Sequence, residues 1–448
     1  MEEIISFLNG ILTDLNIKNI DSITIEEGRN IVKNLNEFLY TNYDGIGKTF
    51  ELDSERDYIS DYHKFWEKNC EKILSPSINK TKCEEVADVF HEIYINNKEA
   101  FYSLYSKEGL NDEEVCKIRF YTASQDFNGS RKFSEYAEIY KEDPSIFDKE
   151  YINSKPESFI SDLKFSKLSQ TDKRIQFAKK SAEMLLQFKC EPFELLKKFN
   201  GDLLEIKNQL IKNQGMGFGN KKADMFIRDM VVLSIWKDYK NFEQIDVASD
   251  RNTMKVALRT GILKTEIPLV SSFLDIFCYQ YSLIDQWCAK AWREVWNIWN
   301  KKYPKECIEG PSLLDYLVYR IIGIEFCNEK LAIFNGKNCG HVFKWHSSKN
   351  RKCQVCAKNK IYSEAKLINK VLPCQDEEGY IYIEKNKYVS GKEAVLHGYK
   401  ECPLINICNP MSNNFIKYNG PKSISILGRT GWSSTYTKRN EGGGGLMS

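Results

Sequence analysis

Amphipathic helical segments follow one another through residues 112–300 and restrict the chain to a mainly helical fold. Segments such as "TDKRIQFAKKSAEMLLQF" and "GDLLEIKNQLIKN" repeat apolar residues with the period of an α-helix. They are roughly 10–18 residues long, and short breaks that contain Gly, Asn or Pro separate them. Helices of this length joined by short turns predict a compact helical bundle.

Composition places the chain among globular proteins with more than one domain. It has 448 residues, of which 42% are hydrophobic and 28% are charged, which argues against disorder and against a single core. No stretch reaches the roughly 18 apolar residues that a membrane helix needs. The acidic start "MEEIISFLNG" is not typical of a signal peptide. We therefore expect a cytoplasmic protein without a membrane partner.

The pattern divides the chain into three regions. Residues 1–110 contain amphipathic helices that precede the bundle, and residues 111–310 hold the bundle itself. Residues 311–448 form a small Cys/His-containing α+β region that ends in a glycine-rich tail. The sequence thus predicts two helical regions and one small mixed region.

Three tryptophans in "CAKAWREVWNIWNKKYP" recur at helical spacing near the end of the bundle. Trp292, Trp296 and Trp299 share one face, which predicts a core position. The alternative is a platform on which nucleic-acid bases stack.

The segment "QGMGFGNKKADMF" places three glycines in five residues, although the whole chain has only 25. Glycine allows positive φ and a close approach to the backbone. The surrounding pattern predicts a helix, a hairpin turn and a second helix that begins at about Asn220. The unpaired N–H groups of that helix start and the glycine backbone predict an anion site that suits a DNA phosphate, to which Lys222 would add charge.

This hairpin resembles that of the helix-hairpin-helix DNA glycosylases. Their signature runs Gly, apolar, Gly, any, Lys, any, Ala, and residues 217–223 match it. The resemblance covers roughly residues 112–300, and the distance in sequence from Lys221 to Asp250 is most similar to that of the archaeal 8-oxoguanine glycosylase branch. It implies that Lys221 is the catalytic lysine. It also implies a set of hairpin residues that contact DNA: Gly215, Gly217, Gly219 and Lys222.

The resembled family also has an aspartate at the head of a later helix. That helix ends about eleven residues further on in an apolar-Gly-apolar segment, and Gly261 follows Asp250 by eleven residues. Asp246 lies four residues earlier and fits less well, although it stays open as the alternative. Asp250 is therefore the expected catalytic carboxylate. A second interpretation is that Asp250 only caps its helix.

The resemblance implies a DNA N-glycosylase that flips a damaged or modified base out of double-stranded DNA and cleaves its N-glycosidic bond. Asp250 would stabilise the oxocarbenium-like sugar. Lys221 would attack C1′ and form a Schiff base, which adds AP-lyase activity; if Lys221 only binds phosphate, an intact abasic site remains. The helices and the long region outside the resembled part suggest an unusual substrate, such as modified bases of invading DNA. A hydrolase of a modified nucleoside and a non-catalytic helix-hairpin-helix DNA-binding protein are the alternatives.

The segment "RFYTASQDFNG" lies where the family places polar residues that fill the gap left in the duplex. Gln125 and Asp126 are therefore candidates for a wedge or for base contacts. The alternative interpretation is an ordinary helix C-terminus.

Cysteines and histidines cluster between residues 327 and 356, and Cys353 and Cys356 have the spacing of a zinc knuckle. We expect a structural zinc site, with an iron–sulfur cluster that uses Cys374 or no metal as alternatives. His346 or Cys327 could replace His341 as the fourth ligand. The expected ligands are Cys339, His341, Cys353 and Cys356. Residues 344–360 contain six basic and no acidic residues, which is typical of a second DNA-binding surface.

Overall fold

The computed structural model describes a set of ranges that covers most of the first 326 residues and parts of the remainder. These ranges are residues 2–18, 22–31, 34, 68–126, 130–165, 170–213, 215–266, 278–326, 331–336, 342–345, 365–371, 381–383, 386–388, 396–399 and 402–408. No helix within them is long and apolar enough to cross a membrane.

Helices make up most of the described chain, as the sequence predicts. The α-helices are α1 (Glu2–Asp14), α2 (Lys80–Asn96), α3 (Asp112–Ser124), α4 (Phe133–Glu142), α5 (Lys149–Ser154), α6 (Pro156–Asp162), α7 (Thr171–Phe188), α8 (Leu195–Lys198), α9 (Leu203–Lys212), α10 (Asn220–Val232), α11 (Arg251–Thr260), α12 (Cys278–Lys302) and α13 (Leu314–Tyr316). Residues 25–31 and 68–74 are also helical. A π-helix, Leu317–Phe326, follows α13 directly. Short 3₁₀ turns lie at Lys98–Phe101, Pro144–Phe147, Pro192–Glu194, Phe242–Gln244 and Pro311–Leu313.

Strands are short. β1 (Ser77–Ile78) pairs antiparallel with β2 (Leu263–Lys264) and so joins the start of α2 to the end of α11. The remaining strands form a three-stranded antiparallel sheet and a hairpin. They are β3 (Leu331–Gly336), β4 (Val342–Trp345), β5 (Ala365–Val371), β6 (Ile381–Ile383) and β7 (Asn386–Tyr388), with β3 central in its sheet.

Local sequence sets several of the helix starts. At α3, the Asn111 side chain accepts a hydrogen bond from the Glu114 N–H at 3.0 Å, and the Glu114 carboxylate accepts one from the Asn111 N–H at 2.9 Å. This reciprocal capping box satisfies two N–H groups that have no partner inside the helix. At α9, one oxygen of Asp202 accepts bonds from the first-turn N–H groups.

The expected boundary at residue 110 does not coincide with a break in packing. Helix α2 lies along α12, where the Phe90 ring stacks on Trp292 with ring centroids 6.0 Å apart. Trp292 and Trp299 are fully buried and Trp296 is nearly so, which confirms the prediction of a core face. Because that face is covered by α2, residues 77–101 belong to the same core as the bundle.

The expected boundary at residue 310 also falls inside the core. A Cβ at Gly310 would lie 2.9 Å from the Phe242 carbonyl oxygen, so the chain packs closely on the bundle at this point. The π-helix then packs against α11. Further along, Asn97 exchanges two hydrogen bonds with the backbone of His397. The helical core therefore extends past residue 310 and includes parts of the segment 396–408.

Candidate functional site

The glycine-rich turn joins α9 to α10, and α10 begins at Asn220, where the sequence predicts it. Gly215 and Gly217 have φ values of +92° and +77°, a conformation that side chains rarely adopt. A Cβ at Gly217 would lie 2.5 Å from the Phe177 ring of α7. The fold itself therefore requires Gly217, because the turn packs directly on an aromatic ring.

Gly219 differs from the other two glycines. It is exposed, its φ of −111° is open to any residue, and a Cβ there would meet nothing within 4 Å. It occupies the N-cap position of α10, where it provides no side-chain cap, and the first turn of the helix contains no acidic residue. The helix start thus presents N–H groups to a surface left open by the missing side chain, which is the arrangement of an anion site.

Helix α7 packs beside this turn and carries exposed lysines. A Cβ at Gly215 would lie 3.1 Å from Nε2 of Gln176 and 3.6 Å from Cγ of Lys180. The exposed lysines of α7 are Lys173, Lys179 and Lys180. Of these, Lys180 pairs with Glu183 at 2.7 Å. A basic face beside a helix N-terminus suits a polyanion such as a DNA strand.

The two adjacent lysines of α10 point to different parts of the site. Lys222 donates a hydrogen bond to the Ser124 carbonyl at the end of α3, 2.7 Å away, and lies over the Phe177 ring. Burial lowers the pKa of Lys222 to about 7, and neighbouring cations, Lys221 among them, add to the decrease. This placement differs from the expected contact with a DNA phosphate, because the amine of Lys222 lies in the interior.

Lys221, in contrast, interacts electrostatically with the carboxyl group of Asp285 on α12. Its charge opposes the rise in the pKa of Asp285, whereas the charge of Asp250 contributes to that rise. Lys221 and Asp250 therefore lie within electrostatic reach of the same group. Among the described residues, Lys221 makes neither a hydrogen bond nor an ion pair. The structure thus places the two residues that the sequence singles out as catalytic within electrostatic range of the same carboxyl group, Asp285.

Asp250 caps α11, as the alternative interpretation of the sequence states. Its Oδ1 accepts hydrogen bonds from the Asn252 and Thr253 N–H groups, both at 2.8 Å, and its own N–H donates to Thr253 Oγ1 at 2.8 Å. From the described residues, its Oδ2 accepts one longer bond of 3.3 Å, from Asn252 Nδ2. The cap fixes the carboxylate but leaves one oxygen with little engagement, so capping and a role in catalysis are compatible.

Asp246 is held in an ion-pair network with Arg293 and Lys207. It accepts a hydrogen bond from Arg293 Nε at 2.7 Å and lies 3.8 Å from Lys207 Nζ. Lys207 also pairs with Asp224 of α10 at 2.6 Å. Burial raises the pKa of Asp224 to about 7, and Lys207 opposes this rise. The sequence offers Asp246 and Asp250 as candidates for the catalytic carboxylate. Of these two, Asp250 is the one that, like Lys221, affects the pKa of Asp285.

Asp285 is the site residue that the sequence analysis missed. It lies on the face of α12 that also carries Cys288 and Trp292, at the helical spacing i, i+3, i+7. Trp292 Nε1 donates to the Thr253 carbonyl in the first turn of α11. This face therefore packs against the helix that Asp250 caps. An acid at such a spacing from two buried residues is the signal that could have identified Asp285.

The π-helix closes the site on the side of α11. A Cβ at Gly323 would lie 2.9 Å from Cβ of Asn252, so this glycine allows close contact beside Asp250. Lys255 is buried and donates to the Gly323 carbonyl at 2.9 Å. Tyr319 is exposed, and its pKa is raised, first by burial of its hydroxyl group and then by the charge of Asp250. An aromatic ring thus lies at the rim of the site, near Asp250.

Gln125 and Asp126 lie at the end of α3. Gln125 is fully buried as its C-cap, and its amide donates to the Arg174 carbonyl at 3.1 Å. A wedge must reach the surface, so the wedge interpretation does not hold for Gln125 in this conformation. Its Oε1 is buried without a partner among the described residues. Contact with a base therefore stays the prediction for Gln125. Asp126 is exposed and accepts a hydrogen bond from Ser130.

The expected zinc ligands lie outside the described residues, and so does the basic run apart from β4. These ligands are Cys339, His341, Cys353 and Cys356, together with the alternatives His346 and Cys327. Within the part of the chain that the structure describes, no group of three or more His, Cys, Asp or Glu side chains could hold a metal ion.

Neither a known protein-family model nor a curated protein sequence matches this chain.

Proposed function

We propose that this chain is a DNA N-glycosylase of the helix-hairpin-helix type, which flips out and excises a damaged or modified base. One observation carries the proposal: Lys221 and Asp250 lie around a third ionisable group, Asp285, beside the N-terminus of α10. Cleavage of an N-glycosidic bond develops positive charge on the sugar, and a nearby carboxylate stabilises it. A lysine at the same place supplies a nucleophile.

Asp250 is the residue that stabilises the sugar in this proposal. The backbone of α11 holds its Oδ1, which leaves Oδ2 to interact with C1′. A carboxylate fixed in advance needs no reorganisation when charge develops, so its stabilising effect is larger than that of a mobile one. Lys221 then attacks C1′, and the resulting Schiff base leads to strand cleavage by β-elimination.

The start of α10 and the basic face of α7 bind the DNA backbone in this proposal. Gly219 lets a phosphate approach the N–H groups of the helix, and the lysines of α7 add favourable charge. Tyr319 supplies an aromatic face on which a flipped base stacks. The lengths of chain outside the resembled part favour an unusual substrate, such as a modified base of invading DNA.

We also propose that the cysteine and histidine cluster binds a structural zinc ion and that the basic run around it forms a second DNA contact. The support is the spacing of Cys353 and Cys356 and the absence of acidic residues from residues 344–360. Metal analysis of the purified full chain tests this, with one zinc per chain as the expected result. A chain that binds DNA without bound metal contradicts it.

The test of the proposed function uses duplexes with single damaged bases and genomic DNAs with natural base modifications. Released bases are identified by mass spectrometry, and abasic sites are detected by alkaline cleavage. We expect the parent protein to release a base from at least one substrate and Asp250→Asn to lose at least about a hundredfold in rate. Because asparagine caps helices as well as aspartate does, the variant should retain its fold.

Asp246→Asn is the matched control. It removes an ion pair with Arg293 and lowers stability, but it leaves the carboxylate beside Lys221 unchanged, so base release should persist. Loss of activity in Asp246→Asn with retention in Asp250→Asn would reverse the assignment. DNA binding without base release from any substrate would instead favour the non-catalytic DNA-binding protein.

A further inference from the structure

Asp285 occupies a position that packing alone does not explain. It lies on the face of α12 that meets the start of α11, where the neighbouring residues Cys288 and Trp292 are buried. A carboxyl group on such a face costs free energy unless it is paired. The Oδ1 atom of Asp285 is nevertheless buried and accepts no hydrogen bond from any described residue.

The ionisable groups around Asp285 include residues of α10, of the start of α11 and of its own helix. Lys221 of α10 acts on it with positive charge and Asp250 at the start of α11 with negative charge. Cys288, on its own helix, has a pKa raised to about 12, mainly by burial, with a further contribution from Asp285. Lys221 is the cation of this group, and its side chain has no hydrogen bond or ion pair to a described residue that would hold it away from Asp285.

We infer that Asp285 is the proton acceptor that converts Lys221 from an ammonium ion to a nucleophilic amine, an inference that rests on the proposed function. A buried carboxylate is poorly solvated, and a proton that it receives from a neighbouring ammonium ion removes both charges. Burial raises the pKa of Asp285 to about 7, so the group can accept a proton near neutral pH. Asp250, held by the backbone of α11, remains the carboxylate beside the sugar.

Each proton that is released in the proposed reaction is taken up by a named group. One proton moves from Lys221 Nζ to Asp285 Oδ1, and the Nζ lone pair forms a bond to C1′. The C1′–base bond breaks with its electron pair on the base, which takes a proton from water. The C1′–O4′ bond then breaks with its pair on O4′, and one Nζ proton moves to that oxygen to give the protonated Schiff base. Asp285 returns its proton to the hydroxide ion left by that water.

The experiment uses a duplex with one abasic site, because the Schiff base then forms without knowledge of the natural base. Covalent trapping with borohydride is measured from pH 6 to pH 9 with the full chain. We expect Asp285→Asn to trap at least about tenfold more slowly at pH 7 and to regain rate as pH rises, because Lys221 must then lose its proton to solvent. Asp285→Glu should restore part of the rate, and Lys221→Ala should trap nothing.

Asp88→Asn is the matched control, because it removes a carboxylate that pairs with Lys302 at the far end of α12. It should leave the pH profile unchanged. If Asp285→Asn keeps the rate and profile of the parent, the inference is overturned while the proposed function stands. Base release without any trapping by the parent also overturns it and leaves a monofunctional glycosylase. A parent that neither releases bases nor traps overturns both.

Discussion

Burial raises the pKa of Asp285 to about 7, far above the ordinary value of an aspartate. The folded protein therefore binds a proton at this residue more tightly than the unfolded chain does. Between about pH 4 and pH 7 the folded state holds more protons, so the contribution of Asp285 to stability falls as pH rises through this window. Natural proteins retain such destabilising groups mainly where activity needs them.

Replacement of Asp285 by asparagine should therefore stabilise the protein. The gain in the free energy of unfolding should be small near pH 4, grow up to about pH 7 and then stay constant, because asparagine has no charge to bury. Urea denaturation of the parent and the variant at several pH values measures this. A variant less stable than its parent at pH 8 would show that the carboxylate is paired in the folded protein.

At the scale of elements, two glycines of the turn between α9 and α10 have different roles. Gly217 is required by the fold, and Gly219 is expected to be required for binding. Gly217 combines positive φ with a close approach to Phe177, whereas Gly219 has an ordinary φ and open space. Gly217→Ala should therefore lower the free energy of unfolding by about 2 kcal/mol or more. Gly219→Ala should cost about 1 kcal/mol or less, the difference between the two residues at an N-cap.

Gly219→Ala, the substitution with the smaller expected effect on stability, should weaken DNA binding. A methyl group at Gly219 projects into the space that a phosphate would occupy, so affinity for a 20-base-pair duplex should fall about tenfold, or about 1.4 kcal/mol. Fluorescence anisotropy at one fixed salt concentration measures this. Unchanged affinity in Gly219→Ala would remove the helix start from the DNA-binding surface.

For the whole molecule, the packing of α2 on α12 determines what part of the chain folds as a unit. Phe90 and Phe101 cover the tryptophans of α12, and β1 pairs with β2. A chain that begins at residue 111 loses this cover and exposes Trp292 and Trp299. We expect it to lose cooperative thermal unfolding, measured by circular dichroism. A cooperative transition at the Tm of the full chain would show that the region 1–110 is a separate domain after all.

Local features of the sequence were sufficient for several predictions. The start of α10 at Asn220, the cap at Asp250 and the buried tryptophan face of α12 are confirmed. Each depends on residues a few positions apart, whose spacing and capping chemistry act within one helix. The zinc site and the catalytic roles stay predictions.

Other features depend on how distant segments pack, and only the tertiary structure decided them. The sequence places two lysines side by side, but their neighbours on α3 and α12 determine that Lys222 points inward and that Lys221 acts on Asp285. The regions expected to divide at residues 110 and 310 share one core because α2 and the π-helix cover its surface. Burial and electrostatic interactions are properties of groups brought together from far along the chain, so spacing in the sequence alone does not determine them.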